Sequence, residues 1–224
     1  MPEHNALLYL DGIEGSYLKE IDVTVLGYEN GGYVLDKTIM HYQGGGQPGD
    51  RGYILTDKGK IPIYNVVKDK RKILHLSNVK ADIREGKLAV DWERRYKIMK
   101  MHTLQHAISA IIFKQGIRSL ITEVFPGHGY IIVDRTPSFS PEIYEISKNA
   151  RSLKRYNLKK EELDRELLAR CNLEKLPKSL DVLSIVEIDG IDVCACAGTH
   201  VRNTKEIGDY WIRNPGKTIE FGLF

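Results

Sequence analysis

The stretch "DWERRYKIMKMHTLQHAISAIIFKQG", residues 91–116, decides how the chain divides. Its apolar residues recur at three- and four-residue intervals, the period of an α-helix, and Gly116 is placed to end that helix. With His102 at 0° on a wheel of about 100° per residue, Leu104, Ala107, Ile108, Ile111 and Ile112 fall between about 140° and 280°. That stripe is expected to pack on the body of the protein. His102 and His106 lie about 40° apart on the other side, continued by Ser109 and Phe113. They are therefore expected either in solvent or lining a cleft.

Upstream of Asp91 the pattern is different. In "EIDVTVLGYENGGYVLDKTIMHYQ" apolar residues alternate at Ile21, Val23 and Val25, then break at "ENGG", where Asn30 and the glycines tolerate the positive φ of a hairpin turn. "RGYILTD", "KIPIYNVVKD" and "KILHLS" read as further short strands punctuated by "DKGK" and "KDKRK". Short strands at this spacing predict a small antiparallel β-barrel or sandwich over residues 1–90. Downstream, "YIIVDRT" reads as a strand. "SPEIYEISKNARSLKR" reads as a helix with Ser140 as N-cap and Pro141 at the first helical position. "KKEELDRELLARC" (159–171) reads as another helix, ended with the help of Pro177. "DVLSIVEIDGIDVCACAGTH" predicts two strands about a turn at Asp189–Gly190, and "KTIEFGLF" a closing strand. The fold class expected is α+β, an N-terminal barrel followed by an α/β domain over residues 91–224.

Composition narrows the function classes. A chain of 224 residues with 42% hydrophobic and 28% charged residues can bury a core. No apolar run approaches the roughly 20 residues of a membrane span, and the N-terminus lacks the basic and apolar regions of a secretory signal. A cytoplasmic location without membrane attachment is expected. The net charge of +3 argues no nucleic-acid binding by itself, but "KNARSLKRYNLKK" (148–160) holds six Lys or Arg and no acid. Lys148, Arg151, Lys154 and Arg155 are candidates for a phosphate backbone, set against a solvated helical face. Three cysteines do not make a disulfide framework. Cys171, within an apolar helical pattern, reads as a small buried hydrophobe.

The clustered pair in "CACAGTH" (194–200) points to metal. Cys196 and His200 are four apart, with Gly198 letting the chain turn back between them. His102 and His106 are four apart on one helix face and can share an ion. Thiolate and imidazole are the usual zinc ligands, and together the pairs give a His3Cys set suited to tetrahedral Zn²⁺. Thr103 stands where the H-E-x-x-H metalloproteases carry glutamate, which excludes that class in its usual form. Cys194 is an alternative ligand or a packing residue. Four protein ligands fit a structural zinc, whereas a catalytic zinc keeps a position open, and spacing leaves both readings standing.

"HYQGGGQPGDRGYI" (41–54) is glycine-rich without the G-K-[ST] of a phosphate loop, and a strand follows it. It reads either as a wide turn or as a loop that lets substrate approach main-chain N–H groups. Gln47 in it can both donate and accept.

"MHTLQHAISAI", "CAGTHVRNTKEIG", "GGGQPGDRG" and the closing "TIEF", in this order, resemble the free-standing alanyl-tRNA editing proteins (AlaX), which are similar to the editing domain of alanyl-tRNA synthetase. The resemblance covers nearly the whole chain and fits the medium-length members, in which a zinc-binding editing domain follows a barrel bearing the Gly-rich motif. It implies a zinc-dependent hydrolase with one Zn²⁺ per chain, acting on tRNA(Ala) mischarged with serine or glycine. On that resemblance His102, His106, Cys196 and His200 are the metal ligands, and Gln47 is the glutamine of the G-G-Q segment implicated in editing. The chain departs from the synthetase pattern at Gln105, where a threonine is common, and at Ala197, where a glycine is usual.

Serine differs from alanine by one hydroxyl, and buried polar groups that require it can reject alanine strongly. Gln47, Thr103 and Gln105 are the candidates. Nothing resembles a Ser-His-Asp nucleophile system, so no covalent intermediate is expected. Zinc is expected either to activate water or to position substrate. The alternatives are a deacylase of another mischarged tRNA, of the threonyl type, and a non-catalytic zinc-stapled RNA-binding module. The sequence pattern selects neither monomer nor homodimer.

Overall fold

The computed structural model describes residues 6–163, 167 and 181–224. Its N-terminal part contains β1 (Ala6–Leu7), β2 (Glu20–Glu29), β3 (Gly32–Leu35), β4 (Lys37–Thr38), β5 (Gly52–Thr56), β6 (Gly59–Ile63), β7 (Asn65–Asp69), β8 (Lys72–Leu76) and β9 (Glu85–Val90). Seven of these form one antiparallel sheet in the order β6-β5-β9-β2-β3-β8-β7. The hairpin between β2 and β3 turns at Asn30 (φ 48°) and Gly31 (φ 78°), both in the left-handed region that the right-handed strand twist favours at such turns.

The expected barrel does not form. Among the described residues β6 and β7 are the two edges of this sheet, and no pairing joins them. Only Tyr64 separates them, and its N–H donates to the Leu76 carbonyl, which commits β7 to β8 instead. Pro62 in β6 has no N–H for a further ladder and suits an edge. The sheet bends rather than closes. β2 pairs with β9 through Glu20–Thr24, with β3 from Val25 on, and carries an irregularity between Val25 and Gly27.

Helix α1 (Trp92–Phe113) begins where expected, with the Asp91 side chain accepting from Arg94 N, and Gly116 (φ 73°) follows its end. Beyond it lie β10 (Ser119–Phe125), β11 (His128–Val133), β12 (Leu153–Lys159), β13 (Val182–Ile188), β14 (Asp192–Ala195), β15 (Tyr210–Arg213) and β16 (Thr218–Leu223). They form an antiparallel sheet β10-β11-β16-β15 and a three-stranded sheet β12-β13-β14. α1 is packed by both: Leu104, Ile108 and Ile111 share one core with Ile131 and Phe221 of the first sheet and Val186 and Ile188 of the second. Every residue from Met101 to Ile112 is buried. A second core, around Leu35, Ile54, Ile63 and Leu88, belongs to the N-terminal sheet. The architecture is mixed α and β. Among the described residues no helix is long and apolar enough to cross a membrane.

Two helix expectations change. "SPEIYEISKNARSLKR" gives only a 3-10 turn over Pro141–Tyr144, and Ser140 makes no side-chain cap. Its basic continuation is strand β12, because Leu153–Lys159 pairs along its whole length with β13. Of the helix expected over 159–171, residues 160–162 form a 3-10 turn. Cys171 and Pro177 lie outside the described residues.

A candidate metal centre

The site is assembled by three segments. α1 presents His102 and His106 from successive turns. The loop after β14 presents Cys196 and His200. The Gly-rich segment presents Gln47 through a tight turn in which Gly44 and Gln47 exchange both backbone hydrogen bonds, at 3.0 Å, around Gly45 (φ 60°) and Gly46 (φ 80°). A side chain at Gly46 would meet the Thr122 carbonyl of β10 at 2.1 Å, so the loop can lie on that strand only without one. Arg95, in the first turn of α1 and fully buried, fixes the far end of the segment. Its Nε donates to both Asp50 oxygens at 3.0 Å, Nη1 to the Ser16 carbonyl at 3.1 Å and Nη2 to the Ile39 carbonyl at 2.7 Å.

The four donor atoms of His102, His106, Cys196 and His200 all lie within 4.8 Å of one another. The Cys196 sulfur is 3.3 Å from His200 Nε2 and 3.7 Å from His102 Nε2. Each histidine has its other nitrogen engaged. His102 Nδ1–H donates to Gln47 Oε1 at 2.8 Å, His106 Nδ1–H to the Asp192 carboxylate at 2.9 Å, and His200 Nδ1 meets Thr103 Oγ1 at 3.1 Å. Gln47 and Asp192 side-chain oxygens can only accept, which leaves the Nε2 lone pairs of His102 and His106 available. Carboxylate or amide oxygen behind a ligating imidazole is the arrangement that orients metal-bound histidines. Gly198 completes the cradle. A Cβ there would sit 2.1 Å from His102 Cε1 and 2.6 Å from Gln47 Oε1.

The electrostatics favour an anionic sulfur. Burial opposes ionisation of Cys196, but the three histidines around it hold its thiol well below the usual range. Burial likewise opposes a charge on His106, yet Cys196 and Asp192 outweigh it and raise its pKa to about 9. Burial first, and then the neighbouring His102, hold His200 well below an ordinary histidine. A thiolate with imidazoles is the donor chemistry of a tetrahedral Zn²⁺ site, so the residues fit that ion.

The expected positions fare differently. His102 and His106 are 4% and 6% exposed, so they are not in solvent; the Gly-rich loop and the 196–200 turn cover their helix face. Gln47 and Thr103 stand behind histidines: the Gln47 amide also receives Thr199 N and donates to Thr199 Oγ1, both at 3.0 Å. The Gln105 amide donates to Ser109, one turn along α1. Lys148, Arg151 and Lys154 are exposed, whereas Arg155 points inward and donates through Nη2 to the Gly198 carbonyl. Cys194 falls with His106 and Asp192 in a second group of convergent donors. Asp192 is a functional side chain that the sequence motifs do not mark. The signal for it was an acid in an apolar strand, two residues before Cys194 and so on the same face.

Residues 183–214 match the family described as the threonyl and alanyl tRNA synthetase second additional domain. Over 224 aligned residues the chain is 32% identical to the alanyl-tRNA editing protein AlaX-M of Saccharolobus solfataricus, covering 92% of this chain and 93% of that protein. It is 33% identical over 204 residues to AlaX-L of Pyrococcus horikoshii, covering 86% of this chain and 50% of the other, so it spans half of that longer relative. The alanine–tRNA ligase of Ignicoccus hospitalis is 31% identical over 209 residues, 87% of this chain but 23% of the ligase.

Proposed function

The chain belongs to the alanyl-tRNA editing proteins, and from that premise we propose that it is a zinc-dependent trans-editing hydrolase that deacylates Ser-tRNA(Ala) and Gly-tRNA(Ala). The observation that carries this reading is the convergence of three imidazoles and a thiolate with every Nδ1 already held by the protein. His102, His106, Cys196 and His200 would hold one zinc per chain. When bound, zinc would supply a Lewis acid beside the ester. Gln47, Thr103 and Asp192 act on the rings, fixing tautomer and orientation. Buried polar side chains around the donors, Gln105 among them, would make a site that favours a substrate hydroxyl over the alanine methyl. Lys148, Arg151 and Lys154 are proposed as phosphate contacts for the tRNA. The reading also takes residues 1–90 and 91–224 as two domains and the cytoplasm as the location.

The test is a deacylation panel of tRNAs carrying serine, glycine, threonine and alanine, with zinc content measured on the same samples. Release of serine and glycine but not alanine by wild type, lost in His102→Ala, is the expected result. Preferential release from a threonyl-type mischarged tRNA would replace the substrate. One feature favours a second reading: four protein donors can fill a tetrahedral zinc completely, as in a structural staple of a non-catalytic RNA-binding module. A zinc-loaded wild type that binds tRNA(Ala) and releases no amino acid would establish it.

A further inference from the structure

Arg95 and Arg155 are both buried, yet they are partnered in opposite ways. Arg95 faces the Asp50 carboxylate, and each of its three nitrogens donates to protein. Arg155, 8% exposed, uses Nη2 on the Gly198 carbonyl, while its Nε and Nη1 have no partner. Among the described residues it makes no ion pair with a carboxylate. A buried cation left this way is costly, and a structural role at Gly198 would need only the one bond it makes.

Its location gives the free donors a use. Gly198 lies between Cys196 and His200, and its own N–H donates to the Cys196 sulfur at 3.3 Å. Arg155 thus sits on the peptide that carries the metal ligands. Two more buried side-chain atoms without partners come from other elements: Tyr9 Oη, from the N-terminal 3-10 turn, and His41 Nδ1, from the entry to the Gly-rich loop. The Tyr9 and His41 rings meet edge to face at 5.4 Å. The Arg155 charge acts on the Tyr9 hydroxyl, and the Cys196 thiolate acts on both His41 and Arg155. The N-terminal turn, the entry to the Gly-rich loop and β12 thus each bury a polar side-chain atom without a partner.

We propose that Arg155 is a catalytic residue that donates to the carbonyl oxygen of the aminoacyl ester as that oxygen becomes an oxyanion. The inference rests on the deacylase reading above. In the step, a water oxygen bonds to the ester carbonyl carbon and the C=O π pair moves onto the carbonyl oxygen. The water gives up a proton. Collapse of the adduct restores C=O and breaks the bond to the terminal ribose oxygen, which takes a proton, leaving free amino acid and deacylated tRNA. The charge that appears and disappears on the carbonyl oxygen is what a fixed guanidinium N–H stabilises. A backbone phosphodiester is the other anion of the substrate, and Arg155 serving it would show as a raised KM rather than a lowered kcat.

The experiment compares wild type with Arg155→Met and Arg155→Lys in steady-state deacylation of Ser-tRNA(Ala), with zinc stoichiometry and tRNA affinity measured on each. Arg155→Met is expected to lower kcat by about 10²–10³-fold, with KM, zinc content and tRNA affinity held. Added ethylguanidinium should restore part of kcat. Arg155→Lys keeps a cation and should fall between the two; it reads the proposal even if the Met variant does not fold. An unchanged kcat overturns the inference, a rise confined to KM reassigns Arg155 to the tRNA phosphates, and loss of zinc in step with activity reduces it to a prop for Gly198. An inactive wild type fails the deacylase reading itself, which is distinguishable from active wild type and equally active Arg155→Met.

Discussion

His75 and the cluster of His102, His106 and His200 are all buried, and they differ in what becomes of the second ring nitrogen. His75, in β8, has both engaged by its own sheet: Nε2 meets Thr38 Oγ1 at 2.7 Å and Nδ1 meets the Tyr33 carbonyl at 3.2 Å. The imidazole is neutral and finished, and burial lowers its pKa to about 4 against the pull of that carbonyl. In the cluster each Nδ1 is engaged, but the Nε2 atoms converge with a thiolate on one point. Burial alone therefore does not separate a packing histidine from a ligand. The count of unsatisfied nitrogens, and whether they converge, does.

The largest effect should come from emptying that point of convergence. Chelation of the metal, or His106→Ala, is expected to abolish serine release and lower the melting temperature, while His75→Gln leaves serine release intact. Loss of activity in His75→Gln, or an active chelated protein, would erase the distinction. Acid should next find the finished histidine. Its folded pKa lies below the unfolded value of about 6.5, so its contribution is complete above that pH and is lost as pH falls toward 4. The loss is about 3 kcal/mol, read as a steeper fall in urea stability between pH 7 and 4 in wild type than in His75→Gln. Parallel curves would show that His75 does not carry it.

Smaller effects follow from the groups behind the rings. Asp192→Asn or Gln47→Ala leaves all four donors in place and is expected to weaken zinc binding by about 10- to 100-fold, measured by competition with a chelator. An unchanged affinity would place these side chains outside the metal's support. Smallest of all, Lys154→Glu should weaken tRNA binding a few-fold and flatten its salt dependence by about one to two phosphate contacts, with zinc content untouched. A salt slope equal to wild type would remove β12 from the tRNA surface.

Chain-local patterns carried much of this. The i, i+4 spacing of His102 and His106, the Asn30–Gly31 turn and the strand pair about Asp189–Gly190 each depend on neighbours within a turn or a hairpin, so sequence displays them directly. The residues misplaced by sequence reading depend on distant partners. Six of the thirteen residues in 148–160 are Lys or Arg, and charge has no period that tells a helix face from a strand; pairing of Leu153–Lys159 with β13 makes a strand, which sends Lys154 outward and Arg155 inward. The open sheet follows from which strand Tyr64 N–H finds, a choice between partners that both look like strands.

The sequence by itself determined the ligand types, their four-residue spacings and the glycines that permit close approach, because these are properties of single residues and single turns. Only the tertiary structure decided that Gln47, Thr103 and Asp192 stand behind the histidines, that the histidine face is covered, and that Arg155 reaches the metal turn with two donors to spare. Those outcomes come from bringing together segments about 50 to 150 residues apart, where packing and hydrogen-bond satisfaction, rather than local periodicity, select the partners.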